Sequence, residues 1–273
     1  MRVAIHDWGG DGPPTLLAHA TGFHGMVWAP VAEQLVAAGR RVWSFDFRGH
    51  GDSDRDAGGG YDWTGFAEDV HVVVGRLGLA GDPRLVTVGH SKGAAALLLA
   101  EATAPGTFAR IWGYEPIVFP SDDPAALAPD NPMSRRARRR RAVWSSPDEA
   151  YRSFSVRPPL EVLAPTALRA YVDHGLRRRE DGAYELKCRP EDEAEVYAMG
   201  AANGVYPRLG EVHCPVRVVH GEHTDEIQKT FSTRLVERLP RGELEIARGL
   251  GHFGPLEDPA WAARSVLDFA TTT

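Results

Sequence analysis

The chain has few cysteines and no long apolar run, and each shortage excludes a class of protein. Its 273 residues include only two cysteines, Cys188 and Cys214, which are too few for a disulfide framework and fit a reducing compartment. The longest apolar stretch, residues 94–100, is far shorter than the roughly 20 residues of a membrane-spanning helix. The N-terminus meets polar residues before any apolar run of signal-peptide length. We therefore expect a cytoplasmic protein without a membrane partner.

An excess of positive charge is also lacking. The chain has 31 Lys+Arg against 37 Asp+Glu, a formal net charge of −6, whereas nucleic-acid binding calls for a basic surface. There is no glycine-rich loop of the kinds that hold nucleotide phosphates. The histidines at 220 and 223 share their loop with two acidic residues, but one loop is weak evidence for a metal. We expect no nucleic acid, no cofactor and no metal, and a monomer or homodimer acting on a small molecule.

What the sequence does contain is an alternation of short aliphatic runs with longer amphipathic segments. This pattern is typical of β-α-β units, and nearly continuous apolar strands indicate a mostly parallel central sheet flanked by helices on both faces. The strands that we predict are Arg2–His6, Thr15–His19, Arg41–Asp46, Leu85–Gly89, Arg110–Tyr114, Val216–His220 and Leu244–Ala247.

The alternation is interrupted once, between residues 121 and 207. This segment shows no strong strand signal and has several proline-bounded helical pieces that carry the aromatic residues Trp144, Tyr151, Phe154, Tyr171 and Tyr197. The strand pattern resumes at Cys214. We predict an α/β core made of residues 1–120 and 208–273, with a mobile helical cap (lid) at 121–207 whose aromatic residues line an apolar pocket.

The segment most informative about function runs from Leu85 into the helix-like residues after Gly93. It holds Gly-x-Ser-x-Gly as Gly89-His-Ser-Lys-Gly93, between a predicted strand and a predicted helix. A sharp turn there presents the serine at the carboxyl end of the sheet, and its crowded backbone needs glycine on both sides. Ser91 is therefore the candidate nucleophile.

A serine hydroxyl is a weak nucleophile, so it needs a base that is itself oriented by an acid. In this kind of fold the base comes last in the chain. His252 lies in the glycine-rich stretch Gly249-Leu-Gly-His-Phe-Gly-Pro255, directly after the last predicted strand. We expect His252 to be the base.

Four motifs in this order resemble the α/β-hydrolase superfamily, in its capped, epoxide-hydrolase-like branch, over nearly the whole chain. They are His19-Ala-Thr-Gly-Phe-His-Gly25 with Trp28, Asp46-Phe-Arg-Gly-His-Gly-Asp-Ser53, Gly89-His-Ser-Lys-Gly93, and Gly249-Leu-Gly-His-Phe253 with Glu257-Asp-Pro259. The resemblance implies the α/β-hydrolase fold with an inserted helical cap.

The resemblance leaves two candidates for the acid. The family usually has Gly-x-x-Asp after the strand at 216–220, and its aspartate corresponds to Asp225 here. The matching stretch, Gly221-Glu-His-Thr-Asp225, is one residue longer than the family's motif. Some members take the acid from the strand after the nucleophile helix, which points to Glu115. For the oxyanion, the resemblance implies the amide of Lys92 together with that of Thr21 or, as a second choice, Phe23.

The nucleophile position holds a serine, Ser91, whereas relatives that act on epoxides have an aspartate there. A serine implies addition to a carbonyl. The expected activity is hydrolysis of a small-molecule ester or related acyl compound through an acyl-enzyme. Acyl transfer or elimination in a biosynthetic pathway would use the same triad. A non-catalytic receptor for a small ligand is the alternative from another class.

Two positively charged features have more than one interpretation. The run Arg135-Arg-Ala-Arg-Arg-Arg-Arg141 fits a solvated helix face with intramolecular ion pairs, or an anion-attracting rim for a carboxylate or phosphate on the substrate. The side chain of Lys92 is expected to be anchored to a carboxylate such as Glu115, or else to reach the pocket and favour acidic substrates.

Overall fold

The computed structural model describes residues 1–55, 61–121, 132–200 and 202–272. All the strands predicted from sequence are confirmed, each within three residues of the expected bounds. The strands are β1 (Ile5–Gly9), β2 (Pro14–Ala18), β3 (Arg41–Phe45), β4 (Val86–His90), β5 (Arg110–Tyr114), β6 (Val143–Trp144), β7 (Leu176–Arg178), β8 (Tyr184–Leu186), β9 (Val216–Gly221) and β10 (Gly242–Ala247).

The main sheet has seven strands in the order β1-β3-β2-β4-β5-β9-β10. Strand β1 pairs antiparallel with β3, and every other pairing is parallel. Because parallel strands end at the same edge, the loops after β4, β5 and β9 lie side by side at the centre of the sheet. This edge is where a site is expected in an open α/β sheet.

Helices cover both faces of the sheet. The helices of the described residues, in the core and elsewhere, are α1 (Ala29–Ala37), α2 (Trp63–Leu77), α3 (Lys92–Thr103), α4 (Pro132–Arg138), α5 (Pro147–Phe154), α6 (Pro165–Gly175), α7 (Pro190–Ala198), α8 (Glu226–Arg238), α9 (Gly254–Glu257) and α10 (Pro259–Thr271). Helices α2 and α3 pack together over one face, and α1 and α10 over the other. Among these helices, none combines the length and the apolar character needed to cross a bilayer.

The chain between β5 and β9, called the insertion below, comprises residues 115–215, of which 122–131 and 201 lie outside the described residues. It holds α4–α7, as the helical pattern predicted. It also holds a small antiparallel sheet in the order β6-β8-β7, which the sequence, without a strong strand signal in this segment, did not predict. The strands span only two or three residues, too few for an alternating pattern to be visible in sequence.

The insertion is joined to the core by several hydrogen bonds. The ring of His24 donates from Nε2 to the carbonyl of Tyr171 at 3.0 Å, which ties the loop after β2 to α6. Arg55 bonds to the carboxylate of Asp192, which is 2% exposed. The amide of Ala164 donates to the carbonyl of Leu256 at 2.8 Å. The insertion therefore packs on the loops at the carboxyl edge of the sheet.

Candidate active site

Ser91 occupies the sharp turn that the sequence predicts. It lies between the last residue of β4 and the first of α3, with φ 53° and ψ −112°, a conformation that non-glycine residues adopt only under strain. A Cβ at position 89 would lie 2.5 Å from the backbone of Ala94, and one at position 93 would lie 2.3 Å from the carbonyl oxygen of Ala18. Close backbone approach thus requires glycine on both sides of the serine.

His252 lies next to this turn in a loop held by several hydrogen bonds. Its carbonyl accepts a hydrogen bond from Nε2 of His90 at 2.9 Å, and the two rings are 5.1 Å apart. The carboxylate of Glu257 accepts the amides of Gly251 and Phe253, the residues on either side of His252. Sequence analysis did not assign a role to His90 or Glu257, although Glu257 belongs to a quoted motif. Both position the histidine loop.

Glu115, directly after β5, is the carboxylate that the structure brings to His252. Its Oε2 lies 2.6 Å from Nδ1 of His252, and it also accepts from the hydroxyl of Thr224 at 3.1 Å and, through Oε1, from the amide of Gly221 at 2.9 Å. The side chain is 0% exposed. Since a carboxylate only accepts, Nδ1 of His252 must donate, which leaves Nε2 free to act as a base in the neutral ring.

Asp225, the other candidate acid, is not the carboxylate that bonds to His252, so the structure corrects this expectation. It is exposed and caps the start of α8, where its carboxylate accepts the amide of Gln228 at 2.8 Å. The extra residue in the loop after β9 carries Asp225 past the turn to the helix start. Thr224, one residue earlier, reaches the carboxylate of Glu115 instead.

The candidate oxyanion donors lie in the loop after β2 and at the start of α3. Among the described residues, the amides of Thr21 and Lys92 donate no hydrogen bond. The amide of Phe23 donates to the carbonyl of Ala20 at 3.2 Å, so this second choice is already engaged. Asp46 helps to hold the loop after β2, since its Oδ1 accepts a hydrogen bond from the amide of Gly25 at 2.6 Å. Two amides therefore remain available to bind an oxyanion.

The side chain of Lys92 enters the core, so both expectations for it are wrong. It is 0% exposed, with Nζ 3.4 Å from Nε2 of His50 and 4.2 and 4.6 Å from the ring centres of Phe47 and Phe66. Within the described part of the chain, its Nζ makes no hydrogen bond or ion pair with Glu115 or another carboxylate. Because the ammonium is buried and bonds to no carboxylate among the described residues, the loss of hydration lowers the pKa of Lys92 from 10.5 to about 7.

This lowered pKa predicts how stability depends on pH. Between pH 7 and 10.5 the unfolded chain binds one more proton at Lys92 than the folded chain does, so its contribution to stability rises with pH, by at most about 1.4 kcal/mol per unit. In Lys92→Met this contribution is absent. Urea unfolding of both proteins from pH 7 to 9.5 should show the wild type gaining stability relative to the variant. A difference that stays constant with pH would contradict a neutral buried lysine.

A cavity of about 680 Å³ lies between the insertion and the core. Thr21, Gly22 and Phe23 from the loop after β2 line it, together with Phe253, which follows His252. Of the aromatic residues expected there, four line it, namely Trp144, Phe154, Tyr171 and Tyr197. Ser91 is not among the lining residues, and several arginines are, so the cavity is less apolar than the sequence suggested.

Comparison with known proteins agrees with this architecture. The sequence profile of the alpha/beta hydrolase family matches residues 15–265. The chain is 27% identical over 263 residues to a protein named monoacylglycerol lipase from Mycolicibacterium smegmatis, covering 92% of this chain and 86% of that one. The crystal structure of E-2-(acetamidomethylene)succinate hydrolase aligns with a TM-score of 0.79 at 21% identity, covering 98% and 94% of the two chains. The peroxisomal alpha-beta-hydrolase Lpx1 of Saccharomyces cerevisiae aligns with a TM-score of 0.80 at 18% identity, over 97% and 79%.

The two solved structures share the fold at low identity, and the profile covers most of the chain. The chain belongs to the alpha/beta hydrolase family.

Proposed function

We propose that the protein is a serine hydrolase that cleaves a small-molecule ester or related acyl compound, with Ser91, His252 and Glu115 as its triad. The observation that carries this proposal is the 2.6 Å hydrogen bond between Glu115 and Nδ1 of His252, beside a strained serine turn. The order Ser, acid, His along the chain is that of the family's triads.

In the proposed reaction, Ser91 adds to the substrate carbonyl while its proton passes to Nε2 of His252. Glu115 stabilises the imidazolium that forms, and the amides of Thr21 and Lys92 bind the oxyanion. The imidazolium then protonates the leaving group, which departs and leaves an acyl-enzyme. Water, deprotonated by His252, attacks the acyl carbonyl; the intermediate then collapses to release the acid, and the imidazolium returns the proton to the Ser91 oxygen as it leaves. Among the described residues the Ser91 hydroxyl makes no hydrogen bond, so its bond to His252 would form as substrate binds.

We further propose that residues 121–207 act as a cap on a core of residues 1–120 and 208–273. The support is the cavity enclosed between the insertion and the loop that holds Thr21. A cap over this cavity would set specificity and control the access of water to the acyl-enzyme. Control of water decides whether the acyl group is hydrolysed or passed to another acceptor.

The proposal is tested by product analysis with two esters of one acid, 4-nitrophenyl butyrate and phenyl butyrate, in the presence of methanol. A shared acyl-enzyme predicts the same ratio of methyl butyrate to butyrate from both esters, although their rates differ. A ratio that depends on the leaving group would indicate direct attack by water and contradict the proposal. Binding of butyrate without turnover of either ester would favour a receptor.

A further inference from the structure

The wall of the cavity is unusually rich in positive charge. Among the lining residues that the structure describes there is one carboxylate, that of Glu193, against six arginines: Arg135, Arg136, Arg139, Arg140, Arg141 and Arg157. The arginine run that the sequence analysis left open therefore faces the cavity at most of its positions. Arg138, in the same run, does not line the cavity.

Some of these arginines are held by partners within the protein. Arg140 bonds to Glu193 at 2.5 Å and to the hydroxyl of Tyr171 at 2.9 Å. Arg141 bonds to Glu149 at 2.7 Å. The positive charges of Arg140 and Arg141 are therefore balanced by carboxylates, and these side chains build the wall of the cavity.

Arg139 and Arg157 differ from them. Both are exposed and line the cavity, and among the described residues neither side chain makes a hydrogen bond or an ion pair. A guanidinium group has a planar fork of donors that matches the oxygens of a carboxylate or phosphate. Two such groups without internal partners, in a cavity with aromatic walls, are suited to bind an anion from solution.

We propose that Arg139 and Arg157 bind an anionic group, a carboxylate or a phosphate, on the substrate at the end remote from the scissile bond. This inference rests on the proposed function. Thr21 and Phe253, the residue after His252, line the same cavity as these two arginines. A substrate whose acyl group lies beside Thr21 and Phe253 can therefore place a remote anion at the arginines. The preferred substrates are therefore acyl compounds that carry a negative charge.

The test uses matched esters, the mono-4-nitrophenyl ester of adipate and its neutral methyl ester, with a phosphonate analogue of the first as a third arm. Wild type is expected to cleave the charged esters with the higher kcat/KM. Arg139→Gln and Arg157→Gln should each lower that value about tenfold, mainly through KM, because each removes a charge-assisted hydrogen bond. Neither change should affect the neutral ester. The ratio of the carboxylate to the phosphonate arm identifies which anion is preferred.

The control is Arg138→Gln, which removes the same charge from the same run outside the cavity and should leave all three esters unaffected. Equal kcat/KM for charged and neutral esters, or equal losses in Arg138→Gln, would overturn the proposal while the proposed function stands. If no ester is cleaved, calorimetric titration of adipate and inorganic phosphate into Ser91→Ala decides the matter alone. Binding that is lost with Arg139→Gln supports the anion site, and absence of binding overturns it.

Discussion

Replacing Glu115 by Gln is expected to lower kcat by about 10⁴-fold, a much larger loss than the one expected from replacing Asp225 by Asn. The neutral amide cannot stabilise an imidazolium as the buried carboxylate does, and with its oxygen toward the amide of Gly221 its NH2 group would face Nδ1 of His252. Asp225→Asn should leave kcat within about twofold, because asparagine caps a helix as well as aspartate does. Steady-state kinetics of both variants on 4-nitrophenyl butyrate provide the comparison.

Folding must be measured beside activity for this pair. The Glu115→Gln change keeps nearly the same side-chain shape but places an amide where Gly221 and Thr224 donate to the carboxylate, so some loss of stability is expected. Urea unfolding at the assay temperature shows whether the folded fraction accounts for the lost rate. A greater loss of kcat in Asp225→Asn than in Glu115→Gln would contradict the assignment of the acid.

Ser91→Ala is expected to lower the rate of ester hydrolysis by about 10⁴-fold or more. Only the residual rate that substrate binding and the oxyanion amides provide should remain. The change removes only the hydroxyl, so substrate binding and folding should persist. Ser155→Ala, on the insertion, is the matched control and should retain wild-type rates. Hydrolysis in Ser91→Ala at more than about a tenth of the wild-type rate would exclude Ser91 as the nucleophile.

The features that sequence analysis could predict are those encoded within short stretches of chain. The strands around the nucleophile are apolar runs ended by glycine, and Gly89 and Gly93 frame a turn whose geometry allows nothing larger. The loop of His252 is defined by its own glycines and by its position after the last strand. Each of these signals lies within about ten residues, so no knowledge of distant contacts is needed to recognise it.

The acid could not be chosen in this way because the choice depends on which strands are neighbours. Strands β5 and β9 are separated by the insertion but lie side by side in the sheet. This adjacency brings Glu115 against Gly221 and Thr224, so that the loop after β9 supports the carboxylate and does not supply it. Spacing within the loop of Asp225 carried no information about that contact.

Side-chain direction was the other property that sequence could not give. Lys92 follows the nucleophile, yet its side chain enters the core between Phe47 and Phe66, because the first turn of α3 directs it there. Similarly, only the folded insertion shows that Arg139 faces the cavity while Arg138 does not. Adjacency along the chain did not determine which side of the molecule each cation occupies.

Covalent labelling by a fluorophosphonate, followed by intact mass measurement, tests the central role of Ser91 most directly. The wild type is expected to gain a single adduct, located by peptide mapping to the peptide that contains Ser91, and Ser91→Ala is expected to gain none. Cleavage of the substrate esters should be lost in proportion to labelling. An adduct of equal extent in Ser91→Ala, or a wild-type enzyme that stays unlabelled while hydrolysing esters, would contradict a serine nucleophile at this turn.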